Sequence, residues 1–254
     1  MLIQGKQMHI QIQKGDIGRY VILPGDPGRC ERIARYFDAP EFLSSNREYT
    51  VWRGMLCGEP VAVCSTGIGG PSTAIALEEL IECGADTFIR VGTSGGIAET
   101  VRGGDIVIAT AAVRQEGTTR EYMPIEYPAA ADFSVVSALH QAAQKLQYRQ
   151  HVGVIQSKDS FYGEIRPNEQ PTAAQLQANW NAWKAAGVLT SEMECSTVFV
   201  VGAVRHVRCG GVLNVLWNAD TDDTLDASPE MAERGVRTAI EALKILIQTD
   251  REES

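Results

Sequence analysis

Six short runs of β-branched and aliphatic residues recur along the chain, at 20–23, 60–65, 87–91, 105–112, 151–156 and 212–217, with segments of helical spacing between them. Several are apolar nearly throughout, the pattern of strands covered by helices on both faces of a sheet. Helix starts are marked by Asp26-Pro27 ahead of 29–37, by Pro71-Ser72-Thr73 ahead of 74–83 and by Ser228-Pro229-Glu230 ahead of 231–247. Strands alternating with helices predict an α/β fold. In the last helix Met231, Val236, Ile240, Leu243 and Ile247 recur at helical spacing, which makes it a packing element. Residues 167–179, rich in Gln, Asn, Pro and Ala, predict a surface loop leading into a helix with Trp180 and Trp183.

Three of the apolar runs end in glycine-rich turns: Leu23-Pro24-Gly25-Asp26-Pro27-Gly28-Arg29, Ser65-Thr66-Gly67-Ile68-Gly69-Gly70-Pro71-Ser72 and Arg90-Val91-Gly92-Thr93-Ser94-Gly95-Gly96. Without Cβ atoms in the way, backbone N–H groups in such turns converge on an anion. Arg90 sits inside an apolar run, where a charge is costly unless it is paired or bound to an anion. An internal salt bridge alone satisfies that requirement. Thr93 and the Gly95-Gly96 turn, however, follow at the strand's C-terminal end, where ligands of open α/β sheets bind. Arg29 falls in the first turn of a helix and opposes its dipole, so it gains little there unless an anion is present. The second turn, taken alone, is equally a tight strand-to-helix connection.

Glu192 and Glu194 open the helix that continues into the apolar run 198–204. Carboxylates there complement the helix dipole, and a carboxylate is also suited to gripping a pair of sugar hydroxyls. An arginine-lined anion pocket with a diol-binding glutamate suggests attack of phosphate on a ribosyl carbon.

A formal net charge of −9 without a basic stripe argues against nucleic-acid or anionic-membrane partners. No apolar run approaches the length of a membrane span, and the N-terminus lacks an apolar leader, which predicts a cytoplasmic protein. The six cysteines form no CxxC pair or zinc spacing and read as reduced core residues. The four histidines lack metal-ligand spacing, and His9, in Met8-His9-Ile10-Gln11-Ile12, reads as an ordinary terminal strand residue. With 254 residues, 44% of them hydrophobic, and no linker dividing the chain, a single domain is expected.

The stretches LPGDPGR, SNREYTVWRG, VCSTGIGGPSTAIALEEL, FIRVGTSGGI, DSFYGEIRP and SEMECST resemble, in order and spacing, the uridine phosphorylases of the hexameric nucleoside phosphorylase family. The resemblance covers nearly the whole chain. It implies a three-layer α/β/α sandwich with a mixed central sheet, and a homohexamer built as a trimer of dimers with sites shared across the dimer interface. Gly25, Arg29, Arg90 and Thr93 match the family's phosphate contacts, Arg47 the arginine delivered by a neighbouring subunit, and His9 the residue reaching the ribose from that neighbour. Met193 and Glu194 match the ribose-binding pair; Phe161, Glu164 and Arg166 fall where the family holds uracil. Glu48, Ile68 and Ser72 match a monovalent-cation site between subunits, where K+ is expected. No organic cofactor is implied, and inorganic phosphate is the co-substrate. The implied reaction converts uridine and phosphate to uracil and ribose 1-phosphate, with Arg29, Arg47 and Arg90 holding the nucleophile and Arg166 stabilising charge on the departing base.

Two departures bear on base specificity. Glu164 stands where the family usually has Gln, so a side chain that accepts and donates is replaced by one that, ionised, only accepts. An ion pair with Arg166 favours the charged form and burial favours the neutral one. On this reading Glu164→Gln raises kcat/KM for uridine by about tenfold. Residues 214–220 also leave the familiar pattern; the purine enzymes carry a base-protonating Asp in this region, and Asp220 and Asp222 are the residues nearest that place. A purine or broad-specificity phosphorylase is therefore the first rival, then a hydrolytic nucleosidase of the same fold, which has no need of three phosphate-binding arginines. A nucleoside-binding protein without turnover is the non-enzymatic alternative.

Overall fold

The computed structural model describes residues 2–221 and 229–253. Asp222 and the Ser228 start signal lie outside them, as do the side chains of residues 229 and 231. The strands are β1 (Leu2–Ile3), β2 (Lys6–Gln7), β3 (Tyr20–Pro24), β4 (Asp38–Asn46), β5 (Tyr49–Leu56), β6 (Glu59–Cys64), β7 (Thr87–Gly96), β8 (Ile106–Gln115), β9 (Ala129–Ala130), β10 (Gln150–Lys158), β11 (Thr190–Glu192) and β12 (Arg208–Trp217). The α-helices are α1 (Gly28–Ala34), α2 (Gly70–Glu82), α3 (Thr118–Tyr122), α4 (Phe133–Lys145), α5 (Phe161–Ile165), α6 (Ala173–Ala185), α7 (Cys195–Val204) and α8 (Pro229–Glu252).

The main sheet runs β11-β10-β8-β12-β7-β3-β6-β5-β4 and is mixed: β3, β6, β7 and β12 run parallel where they pair, while β12 meets β8 antiparallel and β4, β5 and β6 form an antiparallel edge. Its two faces carry separate cores. One packs Leu77 and Leu80 of α2 and Phe199 of α7 against Val21 and Phe88. The other packs Ile33 of α1, Leu139 of α4 and Leu243 of α8 against Ile22 and Ile89. Neighbours along β3 and β7 thus point to opposite layers, as the strand pleat requires, and the expected three-layer α/β/α architecture is what forms.

Tertiary pairing extends several elements beyond their local signals. β7 continues through its glycine-rich end to Gly96 because β12 pairs with it as far as Gly95 and β11 pairs with Gly95 and Gly96. β11 also joins β10, so this half of the sheet curls back on itself. The β4–β5 hairpin has no counterpart in the apolar pattern, since most of β4 is exposed. Its two-residue turn places Arg47 at φ 54°, the left-handed region. The helix expected to carry Trp180 and Trp183 is α6, and it already begins at Ala173 within the segment expected to be loop up to 179; it has no fully buried residue, which is why the hydrophobic pattern misses its first half.

Candidate active site

The C-terminal ends of β3, β6, β7, β10 and β11 open onto a cavity of about 850 Å³. Gly25, Arg29, Arg90 and Thr93 line one end; Met193, Glu194, Phe161 and Glu164 line the rest, with Trp217. Four of the residues singled out from the sequence are not in its wall: His9, Arg47, Ser72 and Arg166.

Arg90 is 4% exposed and is held by two carboxylates. Its Nε donates to Glu192 at 3.4 Å and its Nη2 donates to Glu194. Burial works against the guanidinium charge, but Glu194 and Glu192 more than offset it, so its pKa is raised above the ordinary arginine value. Nη1 is buried with no hydrogen-bond partner. Gly92 makes this posture possible, because a Cβ there would come 3.1 Å from Nη2. A Cβ on Gly25 would lie 3.9 Å from both terminal nitrogens, so that turn closes against the same guanidinium. Arg29 reaches the cavity from the first turn of α1 and forms no ion pair among the described residues. Burial lowers its pKa, and Arg90 adds to the lowering against the opposing pull of Asp26. Arg90 with an unpartnered Nη1 and Arg29 without an ion pair among the described residues, beside open backbone turns, are groups suited to binding an oxyanion.

The two readings of Glu192 and Glu194 divide between the residues. Glu192 accepts the N–H groups of Glu194 at 2.8 Å and Cys195 at 3.0 Å, so it caps α7. Glu194 turns into the cavity, where it meets Arg90 and accepts the Gly69 N–H at 2.6 Å. The second glycine-rich turn therefore presents its N–H to an internal carboxylate. Burial pushes the Glu194 carboxyl above its usual range, with Arg90 opposing and Glu192 reinforcing the shift.

At the opposite end, Glu164 is ion-paired with Lys158 at 2.6 Å, and the anticipated partner, Arg166, is elsewhere. Arg166 is exposed, lies over the Tyr162 ring at 4.5 Å and pairs with Glu169 at 3.5 Å. Lys158 is 7% exposed and lines the cavity. The apolar run that marks this strand ends at 156, so the pattern does not single out Lys158. The signal was present, however, as a lysine closing a buried strand six residues before the glutamate that departs from the family.

Neither His9 nor Arg47 lines the cavity, and the segments that carry them are joined through Asn46. Asn46, immediately before Arg47, donates to the His9 carbonyl at 2.7 Å, while His9 Nδ1 and Glu79 meet at 2.7 Å. Glu48 and Ser72 converge on Gly67, where a Cβ would come 2.8 Å from Glu48 Cγ and 3.1 Å from Ser72 Oγ. Ile68, between the two glycines, is 78% exposed. Asp220 pairs with Lys184 at 2.8 Å and is not in the cavity wall. No helix of the described residues is long and apolar enough to cross a membrane, and no cluster of three His, Cys, Asp or Glu suited to a metal ion occurs among them.

Residues 19–248 match the profile of the family described as the phosphorylase superfamily. The chain is 50% identical over 246 residues to uridine phosphorylase of Treponema pallidum, covering 96% of this chain and 95% of that protein. It is 40% identical over 248 residues to uridine phosphorylase of Escherichia coli, covering 96% of each. To guanosine phosphorylase of Halorubrum lacusprofundi it is 38% identical over 250 residues, covering 95% of this chain and 99% of that one.

Proposed function

The chain belongs to the phosphorylase superfamily, and from that footing we propose that it converts uridine and phosphate to uracil and ribose 1-phosphate. The observation that carries this reading is the buried, unpartnered Nη1 of Arg90 in a cavity wall shared with Arg29, Gly25 and Thr93. A phosphate dianion supplies the missing acceptor to Arg90 Nη1 and a counter-charge to Arg29. Glu194, fixed by Arg90 and Gly69, takes the ribose hydroxyls, so C1′ faces the phosphate. Phosphate oxygen attacks C1′ as the glycosidic bond lengthens, the sugar gains oxocarbenium character and the base leaves with the bonding pair. Catalysis is positioning together with electrostatic stabilisation in a water-poor site.

The assembly in this reading is a homohexamer, a trimer of dimers in which each site is completed by its neighbour. The hydrogen bond from Asn46, the neighbour of Arg47, to the His9 carbonyl supports it, since it joins the segments that carry two residues expected to serve a neighbouring subunit, neither of which lines the chain's own cavity. A monovalent cation such as K+ sits at the same junction. Glu48 and Ser72 pack around Gly67 and the Ser72 hydroxyl lies 3.5 Å from the Ile68 carbonyl, so neighbouring residues carry hard oxygen donors of the kind such an ion takes. It supplies positive charge where subunits meet.

The purine alternative has less support, because Asp220 is engaged by Lys184 outside the cavity. The test is release of free base from uridine, thymidine, cytidine and inosine, with and without phosphate. Phosphate-dependent cleavage with uridine preferred is expected; release without phosphate, or a preference for inosine, contradicts the assignment.

A further inference from the structure

The sequence comparison points to a defect at Glu164, an amide exchanged for a group that only accepts. The structure supplies the missing donor. Lys158 Nζ lies 2.6 Å from Glu164 Oε2 and 2.6 Å from Ser191 Oγ, which consumes two of its three N–H donors. Glu164 Oε2 also accepts from Ser191, while Oε1 takes none of these bonds. Oε1 lies over Gly95, 3.5 Å from where a Cβ would stand, in a spot that the Trp217 indole approaches to 3.8 Å. One free acceptor and one free donor thus stand side by side at the cavity wall. The Lys158 and Glu164 side chains are 9% and 11% exposed.

The positions are fixed by the fold. Lys158 ends β10, Ser191 sits beside it in β11 in register with Gln156, and Ser160 caps the short helix that carries Glu164 by accepting the Gly163 N–H at 2.9 Å. Gln156 and Gln115 continue the network to the Trp183 indole, which donates to Gln115 at 3.2 Å.

We propose that Lys158 is the cation that recognises and stabilises the departing base, acting with Glu164 to read a lactam edge: Glu164 Oε1 accepts the ring N–H and Lys158 donates to the adjoining carbonyl. This inference rests on the nucleoside phosphorylase reading and names the residue that completes its base end. As the bond between C1′ and the base breaks, its electron pair moves onto the base and a bond from phosphate oxygen to C1′ forms. Lys158 keeps its proton and strengthens its hydrogen bond to the carbonyl as negative charge collects there. Arg166, turned toward Tyr162 and Glu169, is not needed for that step. The pair also reverses the expectation from sequence: Glu164→Gln strands a buried ammonium and lowers kcat/KM.

The test compares the parent with Lys158→Met, Glu164→Gln and the double variant, on uridine, 5-fluorouridine and 3-methyluridine at saturating phosphate. Lys158→Met is expected to lose about 30-fold or more in kcat/KM for uridine, mostly in kcat, as for loss of a charge-stabilising donor. The loss shrinks with 5-fluorouridine, whose base leaves more easily, a trend that a purely structural role does not produce. The double variant, which restores a lone amide, recovers at least about threefold over the worse single variant, the coupling expected of residues in contact. The parent rejects 3-methyluridine, which has no N3–H. Should Lys158→Met fail to fold, Lys158→Arg, expected to retain most of the activity, and the double variant carry the comparison. Equal losses on both leaving groups, or unchanged uridine turnover in Lys158→Met, overturn the inference while leaving the phosphorylase reading intact. A parent that cleaves no nucleoside with phosphate overturns both.

Discussion

Arg90 and Glu194 form an ion pair buried in the cavity wall, each 4% exposed, with Glu192 as a second anion on the guanidinium and Gly69 as a second donor to the carboxylate. The internal salt bridge and the anion site, which look like alternatives in the sequence, involve different atoms of one arginine: Nη2 pairs with Glu194 and Nε with Glu192, and Nη1, the atom to which the proposal assigns the phosphate, has no partner.

Arg90→Lys keeps the charge and removes the fork. It should lower kcat/KM for phosphate by about 100-fold, in line with about 3 kcal/mol for a preorganised charge contact. Arg90→Ala should also lower the melting temperature, because it leaves two buried carboxylates without their counter-ion. Steady-state kinetics and thermal unfolding on the same preparations separate the two effects.

Glu194→Gln keeps the shape and loses the charge that grips the hydroxyls. The preference for uridine over 2′-deoxyuridine should narrow by about tenfold, the value of one charge-assisted hydrogen bond. An unchanged ratio of kcat/KM values places the 2′-hydroxyl contact on another residue.

If Arg47 is supplied by a neighbour, an inactive Arg47→Ala protein and an inactive Arg29→Ala protein should complement each other after dissociation and reassembly. Arg29 suits the experiment because it forms no ion pair among the described residues, so its loss does not strand a buried carboxylate. Mixed assemblies that form without regaining activity show that each subunit builds its own site.

Away from the cavity, Asp250 of α8 accepts from the Tyr20 hydroxyl at 2.7 Å and from Arg208 Nη1 at 2.8 Å, tying the last helix to β3 and β12. Arg208 holds the Asp250 carboxyl below the usual aspartate range, with the Tyr20 hydrogen bond acting in the same direction and burial opposing both. A depressed folded pKa contributes stability that is present above the unfolded value of 3.8 and is lost as pH falls through the folded value. Asp250→Asn should therefore cost about 2 kcal/mol in urea unfolding at pH 7, and the difference from the parent should shrink as pH falls below 3.8 and through the depressed folded value. A pH-independent difference contradicts the linkage.

The architecture was legible because buried strands and capped helices leave local signals: the run at 20–23 became β3, and those at 60–65 and 151–156 lie within or beside β6 and β10. The elements missed are those whose signals are not apolar. The exposed β4 is defined by its pairing with β5, and the first half of α6, expected as loop, carries no fully buried residue. At the site, the glycine-rich turns and Arg90 announced an anion pocket because a charge in an apolar run demands a partner. The base end was harder. Glu164 was visible as a departure, but its counter-ion stands six residues earlier on a strand that runs past its apolar core, and only pairing with β11 shows that Lys158 is buried there.

The most direct test of the phosphate site is the identity of the sugar product. Uridine and inorganic phosphate incubated with the protein should give ribose 1-phosphate in equal amount to uracil, followed by phosphorus NMR, with no uracil formed when phosphate is withheld. Free ribose as the product, or uracil release without phosphate, means that water is the nucleophile and that the cavity end built by Arg29 and Arg90 does not hold an attacking phosphate.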